Sequence, residues 1–204
     1  MPINKLHPSI QENLQRLGFE TLTPFQNLVL PKIKSGANIF GIGKDGVGKT
    51  TALVISVIQK LNATALDDVP RALIFVKDRA AALYLEERFN QFLVNTDLRL
   101  YSAYEEPNVN KQRDDIYAGV DIVIATPKRL TKLYYMNGIN LGRLNTIIVE
   151  DAEFLTGNSF HTDINRITES VPKCQCIVFA KQFEPRIEKL EELFMTNAQV
   201  VEVV

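Results

Sequence analysis

Gly43-Lys44-Asp45-Gly46-Val47-Gly48-Lys49-Thr50 decides the fold. The stretch is a full G-x-x-x-x-G-K-[ST] match, and it stands between an apolar run at 38–42 and a helix-length segment at 50–61. That context reads as a strand, a phosphate-binding loop and a helix N-terminus. Glycines let the backbone turn and bring its N–H groups onto phosphate, while the helix start adds partial positive charge. In such a loop Lys49 reaches the β- and γ-phosphates of a nucleotide and the Thr50 hydroxyl holds Mg²⁺. The loop alone does not choose among kinases, GTPases and helicases.

Outward from the loop, two apolar periods alternate along the chain. Short runs rich in β-branched residues lie at 38–42, 72–76, 98–102, 121–125, 146–149, 176–180 and 199–203. Most are nearly continuous rather than alternating, as buried parallel strands are. Helix-length segments at 50–61, 79–92, 110–118, 128–135, 160–170 and 184–194 separate them, and two more at 8–17 and 24–35 precede the first strand. Thr23-Pro24 is a good N-cap and first-turn pair, and Gly36 stops the second helix. The pattern predicts an α/β domain with a central parallel sheet and helices on both faces. No linker, repeat or low-complexity tract interrupts it, so one domain over 1–204 is expected, with 1–36 the leading helices and 37–204 the core. The least ordered stretches are expected at 63–70 and 105–110.

Composition sets the outer bounds. The 204 residues are 46% hydrophobic and 23% charged, an ordinary globular make-up that needs no disulfide or metal staple. With 23 Lys and Arg against 24 Asp and Glu, a strongly basic nucleic-acid clamp and an acidic tail are excluded, though a local basic patch is not. Cys174 and Cys176 share one strand-like run and would point to one face, so they are expected reduced and buried. Two histidines without ligand-spaced partners give no zinc signature. The longest charge-free stretch, 21–31, is eleven residues with two prolines, too short to span a bilayer. The first twenty residues lack an apolar signal core, and a cytoplasmic chain is expected.

Upstream of the loop, Gly18-Phe19-Glu20-Thr21-Leu22-Thr23-Pro24-Phe25-Gln26 resembles the Q motif of DEAD-box RNA helicases. A Gln amide can donate to N7 and accept from the exocyclic amine of adenine, a pattern guanine cannot match. Alone, Thr-Pro-Phe-Gln is only a helix cap; its spacing before the loop carries the resemblance. Further matches run down the chain. Thr126-Pro127-Lys128-Arg129 is similar to the family's Thr-Pro-Gly-Arg motif, Glu150-Asp151-Ala152-Glu153 stands in the place of Asp-Glu-Ala-Asp, and Phe179-Ala180-Lys181-Gln182 in the place of Ser-Ala-Thr. The segment 198–204 resembles the last strand of the family's first RecA-like domain.

The resemblance implies a RecA-like P-loop NTPase domain that binds ATP with Mg²⁺ and contacts RNA. ATP contacts are implied for Phe19, Thr23, Gln26, Gly43, Asp45, Gly46, Val47, Gly48, Lys49, Thr50 and Thr51. Thr50 and Glu150 are implied as the Mg²⁺ residues, Lys49, Glu150 and Asp151 as the catalytic ones, and 126–129 as holding RNA phosphate. In the family the arginines that complete phosphoryl transfer come from a second RecA-like domain, so a separate second half or protein partner is expected.

The departures bear on turnover. Each acid of the quartet is exchanged for the other. Glu150 can still serve magnesium, which accepts either carboxylate. Asp151, in the water-positioning place, is shorter by about 1.5 Å, and a misplacement of about 1 Å can cost on the order of a hundredfold in rate. Ala180 and Gln182 lack the family's hydroxyls, Val76-Lys77-Asp78-Arg79-Ala80 replaces its Pro-Thr-Arg-Glu-Leu motif, and Tyr104-Glu105-Glu106 replaces a glycine pair. Acids there would repel a phosphate path. Lys128 adds a charge and a Cβ where RNA backbone would come close. No upstream aromatic is evident for stacking on adenine. Two readings stand: an ATP-binding, RNA-contacting helicase half, or a nucleotide-binding regulatory or interaction module without ATPase or helicase activity; a third, another P-loop NTPase, is opposed by Gln26 and 126–129.

Overall fold

The computed structural model describes residues 2–155, 158–171 and 173–203. Seven strands form one sheet: β1 (Ile39–Gly43), β2 (Ala72–Phe75), β3 (Leu100–Ala103), β4 (Ile122–Ala125), β5 (Thr146–Val149), β6 (Gln175–Ala180) and β7 (Gln199–Val203). Their order is β3-β4-β2-β5-β6-β1-β7 and every neighbouring pair is parallel. Val204, at the end of the expected last strand, lies outside the described residues.

Both faces of the sheet are covered, which is why the strand runs are apolar without alternation. On one face Ile39, Ile74, Ile124, Ile148 and Ile177 pack with α1 (Pro8–Arg16), α2 (Pro24–Lys34), α3 (Lys49–Lys60) and α4 (Arg79–Phe92). On the other, Phe40, Phe75, Val123, Val149 and Val178 pack with α5 (Val109–Tyr117), α6 (Pro127–Tyr135) and α7 (Asn158–Ser170). Ile187 of α8 (Pro185–Glu188) and Leu190 of α9 (Leu190–Leu193) join this second cluster.

Most boundaries fall within one residue of expectation, and three elements differ by more. The single helix expected at 184–194 is two short ones broken at Lys189, because Ile187 and Leu190 alone turn inward and no long apolar face forms. The third strand starts at Leu100 rather than 98, since the Arg99 N–H is spent on the Asp121 carboxylate at 3.0 Å. The helix expected from 160 begins at Asn158. Cys176 is buried, Cys174 half-buried, and both are free thiols.

The stretch 63–70 has no helix or strand, yet it is pinned. Asp121, fully buried before β4, binds Arg71 at 2.7 Å and Arg99 at 3.0 Å. It also accepts from the Leu66 N–H at 3.1 Å. Burial pushes the Asp121 carboxyl up, and the hydrogen bonds from Arg99 and Arg71 outweigh it and hold the group below its ordinary value.

Candidate functional site

The phosphate loop leaves β1 at Gly43 and enters α3 at Lys49, with β6 on one side of β1 and β7 on the other. Gly46 and Gly48 have φ of +87° and +98°, the left-handed region that favours glycine. Gly48 meets a second demand: a Cβ there would lie 2.5 Å from Gln26 Nε2. With glycine as its N-cap, α3 has no side-chain cap, which leaves its first N–H groups for an anion. Lys49 Nζ is folded back on the carbonyl oxygens of Gly43 and, at 3.2 Å, Lys44. Burial lowers the Lys49 pKa and the nearby Asp45 carboxylate opposes that shift.

The leading helices brace this loop. Thr23 and Gln26 form a capping box at the start of α2: Thr23 Oγ1 accepts from the Gln26 N–H at 3.2 Å, and Gln26 Oε1 accepts from the Thr23 N–H at 2.9 Å. Both side chains then reach into the loop. Thr23 Oγ1 donates to the Val47 carbonyl at 2.8 Å, and Gln26 Nε2 donates to the Gly48 carbonyl at 3.2 Å. Gln26 is thus a buried strut between α2 and the loop. Phe19 packs on Phe92, ring centroids 6.3 Å apart.

Beside the loop opens a cavity of about 610 Å³. Asp45, Gly46, Gly48, Lys49, Thr50 and Thr51 form one wall, and Lys77, Ala80, Ala81, Tyr84 and Arg88 of the α4 side form the other. Glu150 and Asp151, just past β5, lie between them. The Thr50 hydroxyl donates to Glu150 Oε1 at 3.4 Å. Burial and the adjacent Asp151 charge raise the Glu150 carboxyl to about 7. Asp151 has φ +97°, a strained backbone for a residue with a side chain, and its N–H donates to the Phe179 carbonyl at 3.3 Å. Glu153 turns the other way and accepts from the Lys181 N–H. Its carboxyl is raised by burial and by Asp151.

Thr126, Pro127 and Arg129, at the start of α6, are buried, and Lys128 is exposed. Thr126 Oγ1 donates to Glu105 Oε2 at 2.8 Å, and Arg129 Nη2 donates to the Glu106 carbonyl at 2.6 Å. Gln112 holds Glu106 Oε1 at 2.9 Å. The two acids expected to repel a phosphate path are therefore bound within the chain, the Glu105 carboxylate to Thr126 and the Glu106 carboxylate to Gln112.

Of the residues expected from sequence, the structure brings Asp45, Gly46, Gly48, Lys49, Thr50, Thr51, Glu150 and Asp151 into one cavity, while Gly43, Val47, Phe19, Thr23 and Gln26 are not in its lining. Sequence reading missed Lys77, Tyr84 and Arg88 on the opposite wall. It also missed Lys181, whose ammonium binds Asp45 of the loop at 2.9 Å. No local signal in the sequence marks this lysine, which reaches the loop only because β6 pairs with β1.

A parallel sheet with a phosphate loop after β1 and paired acids after β5, two strands away, defines a RecA-like nucleotide-binding fold. The DEAD/DEAH box helicase family matches residues 23–180, and the chain belongs to that family. The ATP-dependent RNA helicases RhlB of Salmonella paratyphi A and Citrobacter koseri are each 32% identical across 97% of this chain. The matched part is 49% of either relative, so the chain spans about half the length of the curated relatives it matches. The crystal structure of a DEAD box protein from the hyperthermophile Methanococcus jannaschii superposes with a TM-score of 0.91 at 22% identity, over all of this chain and 56% of that one. A hypothetical ATP-dependent RNA helicase from Sulfolobus tokodaii gives 0.85 at 23%, over 97% and 57%. No helix among the described residues is long and apolar enough to cross a membrane.

Proposed function

We propose that this chain binds Mg-ATP and supplies the phosphate-loop half of an RNA-helicase core, with little or no turnover by itself. The observation that carries the reading is the meeting of Lys49, Thr50 and Glu150 in one cavity at the uncapped start of α3. Backbone N–H groups and Lys49 would take the β- and γ-phosphates once the ammonium leaves the loop carbonyls. The relatives' name, ATP-dependent RNA helicase, supports the choice of nucleotide and of an RNA partner.

The residues fit Mg²⁺. The Thr50 hydroxyl and Glu150 carboxylate are two hard oxygen donors on one side of the cavity, about what Mg²⁺ takes from protein when phosphate and water fill its other positions. Among the described residues no group of three or more His, Cys, Asp or Glu could hold a metal without the nucleotide. Bound there, Mg²⁺ would neutralise charge on the β- and γ-phosphates. Glu150 must give up its proton to join it, and Thr50 orients the carboxylate.

Binding is favoured over turnover. Asp151 is short for placing a water, and Ala180 and Gln182 carry no hydroxyl. Such deficits act on the transition state rather than on ground-state affinity. A phosphate-release assay on the wild type and on the Glu150→Asp, Asp151→Glu double variant tests this. The expected result is release at background from both, with or without RNA, because an arginine supplied in trans is worth about a thousandfold or more. RNA-stimulated release on the order of one turnover per minute or faster from the unmodified chain would contradict it.

A further inference from the structure

Lys181 lies in the turn after β6, and three observations set its position. Its backbone N–H is held by the Glu153 carboxylate. Its ammonium crosses to Asp45 in the phosphate loop, 2.9 Å away. It is near enough to Asp45, Asp151 and Glu153 for each to raise its pKa, and near enough to Lys49 to lower that lysine's. The parallel pairing of β1 with β6 makes this arrangement, because it delivers both strand ends to one edge of the sheet.

The pair itself does little for the fold. The side chains of Lys181 and Asp45 are 45% and 75% exposed, and ion pairs so open to water add little to stability. What the contact does is park a second ammonium at the mouth of a loop whose first, Lys49, is tucked on backbone carbonyls. A polyphosphate entering the loop brings several oxygens and more charge than one carboxylate, and a weak exposed pair yields to it. Of the acids around Lys181 among the described residues, Asp45 is the one hydrogen-bonded to its ammonium; Glu150 is bonded by Thr50 and Glu153 is turned to the Lys181 backbone.

We propose that Lys181 is a phosphate-contacting residue: with a nucleotide in the loop its ammonium leaves Asp45 for the terminal phosphate, so that the site prefers nucleoside triphosphates to diphosphates. This rests on the nucleotide-binding reading above and adds a cation from this chain's own β6. Asp45 then acts as a holding site that keeps the ammonium aimed at the loop.

The test is calorimetric titration with Mg-ADP and with a non-hydrolysable triphosphate, Mg-adenylyl imidodiphosphate, on wild type, Lys181→Gln, Lys181→Arg and Asp45→Asn. Lys181→Gln should weaken the triphosphate by about tenfold, the size of a lost charge-assisted contact, and ADP by less than about twofold. Lys181→Arg should keep the preference, and Asp45→Asn, which releases the ammonium, should tighten the triphosphate relative to ADP. An unchanged triphosphate-to-diphosphate ratio in Lys181→Gln would overturn the proposal, while ADP binding in the same titrations would leave the nucleotide reading standing. Failure of the wild type to bind either ligand would overturn both.

Discussion

The hydroxyl of Thr126 donates to the carboxylate of Glu105 at 2.8 Å, so the residue that the family resemblance assigns to RNA phosphate is already bonded to an anion of its own chain. The contact has consequences for RNA. A phosphate must displace Glu105 and then lie against its charge, so the chain should bind single-stranded RNA weakly. Glu105→Ala frees the hydroxyl and removes the repulsion, and should tighten binding by about three- to tenfold. Fluorescence anisotropy with a labelled oligouridylate reads it, and an unchanged or weaker affinity would sink the idea.

Glu150 predicts a pH dependence. Its carboxyl is raised from 4.5 to about 7, and Mg²⁺ takes the ionised form. Mg-nucleotide affinity should therefore rise as pH increases through about 7, and Glu150→Gln should flatten the profile. For stability the sign is the reverse. Between 4.5 and about 7 the folded chain keeps a proton that the unfolded chain has lost, so this group's contribution falls as pH rises through that window. Urea unfolding at pH 5 and pH 8 should find Glu150→Gln more stabilised, relative to wild type, at pH 8.

Asp121 is the structural acid. Fully buried between Arg71 and Arg99, it should cost about 3–5 kcal/mol when changed to Asn, since two guanidinium groups lose their carboxylate. Because its folded pKa is lowered, its contribution is present above the ordinary carboxylate range and is lost as pH falls through the folded value. Equilibrium urea unfolding measures the difference; a change under about 1 kcal/mol would mean the cluster is not cooperative.

Gln26 has a structural role and one implied by the resemblance, and one variant separates them. Its amide bonds Thr23 and Gly48, so Gln26→Ala should lower stability by about 1–3 kcal/mol and weaken every nucleotide. As the adenine reader implied by the resemblance, it should also erase any preference for ATP over GTP. Thermal unfolding and paired titrations report the two effects independently. A variant that keeps the base preference would leave Gln26 as a strut alone.

How much of this was legible in the sequence follows from range. The loop at 43–50 and the strand runs were readable because a glycine motif and a period of apolar residues are local signals. Glu150 and Asp151 were readable as a motif, but the raised carboxyl of Glu150 comes from burial and the strained backbone of Asp151 from the turn after β5, which no local pattern encodes. The Lys181–Asp45 pair joins residues 136 positions apart, and it exists because the strand order sets β6 beside β1. The bond between Glu105 and Thr126 likewise depends on β3 lying beside β4, which brings an exposed acid after one strand to the hydroxyl after the other. The strut role of Gln26 could have been suspected from the capping-box spacing of Thr23 and Gln26, but not its reach to Gly48, 22 residues away.

The central claim is that the cavity beside Lys49, Thr50 and Glu150 takes Mg-ATP. Calorimetric titration of Mg-ATP into the wild-type chain and into Lys49→Ala tests it directly. Saturable one-to-one binding is expected of the wild type at nucleotide concentrations up to millimolar, and none of Lys49→Ala in a chain that melts as the wild type does, because backbone N–H groups alone only partly neutralise the phosphates. No heat of binding from wild type at millimolar Mg-ATP, or equal binding by both chains, would contradict it.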